Sequence, residues 1–190
     1  PELIGNIITS AKKQFEIDEG SEITIECNPS NDLKEHLKKY KSYGINRISL
    51  GMQSAVDSER FALGRSAGKQ QVEAAIKDAR NAGIKNISLD IMLGTPKQTL
   101  TSLDETFDFI DKMQVQHISA YMLKIEEGTK FFEIQDKLDL PNDDITAEMY
   151  LKTVSALASM GLKQYEISNF AKQGYESKHN TKYWKLVPYL

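Results

Sequence analysis

The feature that most restricts this chain is an alternation inside its short apolar segments. Segments rich in β-branched residues recur between longer amphipathic stretches, a βαβα rhythm that predicts an α/β fold with a parallel sheet covered by helices. Strands are expected at residues 23–28, 47–53, 87–93, 118–123 and 164–168, and helices at 3–15, 32–43, 70–82, 100–113 and 145–160. Strands covered on both faces usually read as continuous apolar runs. Here one face is apolar and the other is small or polar: Thr24, Glu26 and Asn28 in EITIECNP, Arg47, Ser49, Gly51 and Gln53 in RISLGMQ, Ser88 and Asp90 in ISLDIML, and Gln164, Glu166 and Ser168 in QYEIS. A flat sheet wetted on one side would explain this, but five parallel strands joined by helical crossovers normally curl or become covered. The polar face is therefore expected inside a barrel. A complete eight-stranded barrel fills its interior with apolar layers, so a lumen lined by Glu26, Gln53 and Asp90 calls for a polar ligand or water. All three sit near the C-terminal ends of their strands, where barrel proteins place their sites. Each alone reads equally well as a solvated or salt-bridged strand-end residue.

Composition narrows the function classes. With 190 residues, 40% hydrophobic and 27% charged, the chain can bury one substantial core. Its 24 basic and 27 acidic residues are mixed along the sequence, so no basic stripe suits nucleic acid as a partner. No stretch approaches the roughly 20 apolar residues of a transmembrane helix, and the opening residues lack a signal-peptide layout, so a cytoplasmic protein is expected. Cys27 is the only cysteine, which leaves no intrachain disulfide and no thiolate set for a metal cluster; it reads as a small buried apolar residue. His36, His117 and His179 are too scattered to suggest a metal site by spacing, and His117, opening a strand, reads as structural. Gly44, Gly83 and Gly161 are expected to close helices, with the Asn31/Asp32 and Asp143/Asp144 pairs capping helix starts.

Six blocks in order then carry a resemblance: ECNPSN, GINRISLGMQS, ALGRS, NAGIKNISLDIMLGTPKQT, HISAYMLKIEEGT and YEISNFAKQGYESKHNTKYW. The series resembles the radical S-adenosylmethionine (SAM) proteins related to oxygen-independent coproporphyrinogen III oxidase, and it covers about residues 22–190. The resemblance implies a partial, six-stranded (β/α) barrel, with residues 1–162 as its present part and 163–190 as the start of a C-terminal region. It also implies SAM as cofactor and a [4Fe–4S] cluster held by a CxxxCxxC loop that belongs to the full-length protein and is not in this sequence. By itself the chain is accordingly expected to perform no radical chemistry and to bind no stable cluster. Loss of early strands is expected to expose a barrel edge through which copies could self-associate.

Carried over by the resemblance, the SAM contacts are Glu26, Gln53, Arg65 and Asp90, with the backbone near Lys124 lying along the adenosine. The carboxylates can accept from ribose hydroxyls or the ammonium group, and Arg65 can fork onto the SAM carboxylate; which acid meets which group stays open. At the C-terminal end, His179, Asn180, Tyr183 and Trp184 form an HNxxYW motif that resembles the haem chaperone (HemW-like) branch. There His179 would ligate haem iron and the two aromatic rings would contact the macrocycle. The plainer reading is a packing and capping element at the barrel rim. The resemblance thus implies a haem-binding and delivery protein, with oxygen-independent coproporphyrinogen III oxidase, an oxidative decarboxylase, as the alternative. An unrelated barrel enzyme with a sugar or nucleotide substrate is the reading left if the motif series is coincidence.

Overall fold

One face of each strand needs cover from water, and that face is where the core forms. A computed structural model of the protein describes residues 1–30 and 32–188. In it Ile48, Leu50, Ile87, Leu89, Ile91 and Ile118 are fully buried, each contributing roughly 1.5–3 kcal/mol on transfer from water. They belong to β2 (Arg47–Gln53), β3 (Asn86–Leu93) and β4 (His117–Met122), which together with β1 (Thr24–Cys27) run parallel in the order β1, β2, β3, β4. The crossovers are α2 (Leu33–Tyr43) after β1, α3 (Asp57–Ala62) and α4 (Lys69–Asn81) after β2, and α5 (Leu100–Met113) after β3, with α1 (Glu2–Gln14) preceding β1. Their apolar faces follow helical spacing: α4 buries Val72, Ala75, Ile76 and Ala79, positions i, i+3, i+4 and i+7. Helix α2 stops at Gly44, whose φ of 102° lies in the left-handed region that only glycine enters freely. Gly83 and Gly161 follow their helices with positive φ in the same way.

Two expectations about helix starts are corrected. Asp32 flanks α2 without a side-chain capping bond, and Asn31 lies outside the described residues. Beyond the short α6 (Lys130–Glu133), helix α7 (Asp143–Ser159) is capped by Asn142, which accepts from the Ile145 amide at 2.9 Å. The Asp143 and Asp144 carboxylates sit inside the first turn, where they complement the helix dipole.

The larger correction concerns residues 164–168. They do not form a fifth parallel strand. Lys163–Gln164 is a two-residue strand, β5, and Asn169–Ala171 is β6; β6 pairs antiparallel with both β4 and β5. Between them the Glu166 carboxylate accepts from the Ser168 amide at 3.0 Å, a local bond that competes with the strand ladder. The sheet is therefore four parallel strands followed by an antiparallel hairpin, with β1 and β5 at its edges. After it comes α8 (Lys178–Trp184), a seven-residue helix that carries the HNxxYW motif. Among the described residues no helix is long and apolar enough to cross a membrane.

Candidate functional site

Alternation along four strands delivers one cavity of about 470 Å³. Thr24 and Glu26 come from β1, Arg47 and Ser49 from β2, Asp90 from β3, and Ser119 and Tyr121 from β4. Strands β1 and β4 are not neighbours, so side chains from both can share a cavity only because the sheet curves around it. Register builds the layers: Gly51, Asp90 and Ser119 lie opposite one another, and Glu26 and Ser49 lie one layer nearer the N-terminal ends. The Ser49 hydroxyl donates to Asp90 Oδ1 at 2.9 Å. Burial pushes the Asp90 carboxyl above the ordinary range and the nearby Glu26 charge adds to this, while the Ser49 and Ser119 hydroxyls oppose it. Arg47, only 5% exposed, has no hydrogen-bond partner at Nε.

The opposite wall is made by the segment after β6. Ser177, His179 and Asn180 line the cavity together with Glu22. The Glu22 carboxylate accepts from the backbone amides of Lys178 and His179 at 3.2 and 3.3 Å, so it ties the start of α8 to the strand region before β1. A second tie runs through His117, which is fully buried. Its Nδ1 lies 2.8 Å from Ser88 Oγ and its Nε2 2.8 Å from the Tyr165 hydroxyl, which also accepts from the Ser177 amide at 3.0 Å. Burial, reinforced by the Arg47 charge, lowers His117 to about 3, so the ring is neutral near pH 7. The His179 ring stands edge-on to Tyr183 at 4.8 Å, and Trp184 packs on Tyr165 at 5.9 Å. Asn180, Tyr183 and Trp184 also border an adjoining cavity of about 270 Å³ that shares Tyr121 with the first.

Not every expected residue joins the main cavity. Glu26, Asp90, His179 and Asn180 line it, whereas Gln53, Arg65 and Lys124 do not. A register shift between Gly51 and Gln53 takes Gln53 out of the strand's alternation. Its φ is 67°, and the Ser54 amide donates to the Met52 carbonyl at 2.9 Å, closing a tight turn around it. The Gln53 side-chain nitrogen then lies 3.0 Å from where a Cβ on Gly51 would stand, with Asn28 Oδ1 at 3.3 Å from the same point. Arg65, in the turn between α3 and α4, donates from Nη1 to Asn28 Oδ1 at 3.0 Å. Arg65 and Lys124 border a separate groove of about 250 Å³ whose floor is Leu63, Met92, Leu123 and Phe131. Lys124 is exposed and pairs with Glu126 at 2.6 Å.

Ser119, Tyr121, Glu22 and Asn28 complete this arrangement, and none was singled out as a site residue from the sequence. The alternation carries a signal for them: it runs through His117, Ser119 and Tyr121, and through Glu22, Thr24, Glu26 and Asn28. It does not give the partners of Glu22 and Asn28, which come from segments distant in sequence.

Residues 1–110 match the family model of the radical SAM superfamily. The protein described as heme chaperone HemW of Bacillus subtilis is 40% identical over 172 residues, which cover 90% of this chain and 45% of that protein. The HemW of Haemophilus influenzae is 38% identical over 190 residues, covering 100% of this chain and 49% of its own length. The chain thus spans about half the length of the curated relatives it matches. Among solved structures, the Escherichia coli coproporphyrinogen III oxidase HemN, a radical SAM enzyme, superimposes with a TM-score of 0.80 at 21% identity over 96% of this chain and 42% of that one. That likeness is one of fold. With more than half of its residues inside the family model, the chain belongs to the radical SAM superfamily and is closely related to the HemW proteins.

Proposed function

We infer that this chain forms the SAM-holding wall of a cytosolic radical SAM protein of haem and porphyrin metabolism, and that its α8 helix presents His179 to haem as cargo. The observation that carries the reading is the shared cavity, lined at once by Glu26 and Asp90 and by His179 and Asn180. The donor set fits SAM. Glu26 and Asp90 are acceptors for hydroxyl or ammonium protons, Arg65 can meet a carboxylate, and the groove between Arg65 and Lys124 offers a flat base an apolar bed. When bound, SAM supplies the radical chemistry for which the superfamily is named. The residues here do not fit an iron–sulfur cluster, since Cys27 is the one thiol and burial, helped by Glu26, pushes it up to about 11.

The chain's own contribution is binding and orientation. Ser49 orients the Asp90 carboxylate, Asn28 orients Arg65, and Glu22 holds the helix that carries His179. Titrating the complete protein with haem tests the cargo assignment. His179→Ala is expected to weaken haem roughly tenfold or more and to alter the absorbance of the bound haem, as loss of an axial ligand does. Unchanged affinity and spectrum in that variant would remove His179 from the site. Anaerobic turnover with coproporphyrinogen III separates the oxidase alternative, because a decarboxylated product would make the tetrapyrrole a substrate.

A smaller substitution probes the SAM side. In Gly51→Ala the new methyl crowds only the ends of two flexible side chains, Gln53 and Asn28. Stability is expected to change by less than about 1 kcal/mol, while SAM binds severalfold more weakly because Arg65 loses its oriented partner. Calorimetric titration reads this, and SAM affinity equal to wild type would show that the Asn28–Arg65 corner is not used.

A further inference from the structure

The geometry points to Glu59, a buried residue that does not line the cavity, as the positioning residue that holds Gln53 and Arg65 in place; this rests on the reading of those two as SAM contacts. Glu59 lies in α3 and is 1% exposed. Its Oε2 accepts from the Ser54 hydroxyl at 2.7 Å and lies 3.5 Å from the Gln98 amide nitrogen, while its Oε1 has no hydrogen-bond partner. No ion pair to it occurs among the described residues. A buried carboxylate without a cation is unfavourable, and an apolar residue of similar size would fill the same space at lower cost. Such a group persists where its geometry is needed.

What it holds is the strained turn at the end of β2. Every polar group of Ser54 is engaged: its amide closes the turn around Gln53, its hydroxyl donates to Glu59 and accepts from the Val56 amide at 2.9 Å, and its carbonyl accepts from Arg60 Nη1 at 3.1 Å. Arg60, equally buried, also donates to the Ala67 carbonyl, so it grips the chain on both sides of Arg65. Gln98 in turn binds the Gly94 amide at 2.7 Å and the Met92 carbonyl at 3.0 Å, fixing the turn after the strand that carries Asp90. Glu59 is the group common to both turns. Removing its carboxylate takes the 2.7 Å acceptor from the Ser54 hydroxyl and loosens the hold on a left-handed Gln53 that has no glycine-like preference for that conformation.

The test compares Glu59→Gln, Glu59→Leu and Gln53→Ala in the complete protein, measuring the SAM dissociation constant and the thermal midpoint for each. Glu59→Gln keeps an acceptor for Ser54 and is expected to stay within about twofold of wild type. Glu59→Leu is expected to bind SAM roughly 10- to 100-fold more weakly, as displaced contacts do, with an unchanged or higher midpoint. Wild-type SAM affinity in a folded Glu59→Leu protein overturns the proposal, and so does an equal loss in Glu59→Gln. Should Glu59→Leu fail to fold, Ser54→Ala removes the same bond from the other side, and unchanged SAM affinity there is equally fatal. If Gln53→Ala also binds SAM normally, the SAM contact itself is wrong; if Gln53→Ala is weakened and Glu59→Leu is not, only the positioning role falls.

Discussion

Asp90→Asn is expected to raise the SAM dissociation constant by roughly 10- to 100-fold, the scale of losing one hydrogen bond to a charged group, while the unfolding midpoint stays level or rises. The two effects have one cause. Asp90 is placed by β3 in the middle of the curved sheet, and burial disfavours its ionised form, which only partly recovers through the Ser49 and Ser119 hydroxyls. An amide of the same shape can still accept from Ser49 and sheds the desolvation penalty, so the fold gains or is indifferent. The ligand loses, because an ammonium or hydroxyl proton meets a neutral oxygen. For the same reason SAM affinity in the wild type should decline on acidification at a pH above the usual carboxylate range, and that decline should vanish in Asp90→Asn. A variant that binds SAM like wild type would take Asp90 out of the site, and a clear drop in stability would refute the burial account.

Acidification should also unfold the protein early, through His117. In the unfolded chain this histidine titrates near 6.5, and in the fold near 3. Above the first value both states are neutral, so the stability associated with the buried neutral ring is fully present. Between the two values the unfolded chain binds a proton that the folded chain refuses, and stability falls as pH falls, by up to roughly 3–5 kcal/mol over the window. That is a large share of the roughly 5–15 kcal/mol that a domain possesses. Asp90 works in the opposite sense lower down, since a carboxyl raised in the fold takes up its proton before its unfolded counterpart does. The clean measurement is therefore a difference: urea unfolding at pH 7, 6 and 5 for wild type and His117→Gln. The variant is expected to be less stable at pH 7, having lost its bonds to Ser88 and Tyr165, but to show a flatter slope below pH 6.5. Parallel slopes would mean that His117 is not the titrating group.

The parallel half of the sheet was legible because two independent periodicities agree there: apolar alternation in residues such as Ile48 and Leu50, and helical spacing in residues such as Val72 and Ile76. Leu100–Met113 and Arg47–Gln53 match the expected bounds to the residue. The tail of the sheet was not legible because QYEIS carries a strand's alternation while Glu166 folds back onto the Ser168 amide; a local side-chain bond overrides the pattern. Glu26 and Asp90 could be placed on one polar face by alternation alone, and they do meet one cavity. Alternation puts Gln53 on that face as well, and there it misleads, because the register shift beside it breaks the period of two and Gln53 does not line the cavity. Glu59 gives no polar signal within a six-residue helix, and its importance emerges only when β2 and the turn after β3 are seen side by side.

The bond between Glu22 and the start of α8 joins residues 156 positions apart. Closing a loop of that length carries a large entropic penalty with little local reward, so this contact should form late in folding and open first on unfolding. The cavity lies between the two segments it joins. The site is consequently a record of completed folding: a chain with only its parallel strands assembled has the acidic face but not the opposing wall. A ligand spanning both would act as a kinetic clasp, slowing the unfolding rate more than it speeds refolding.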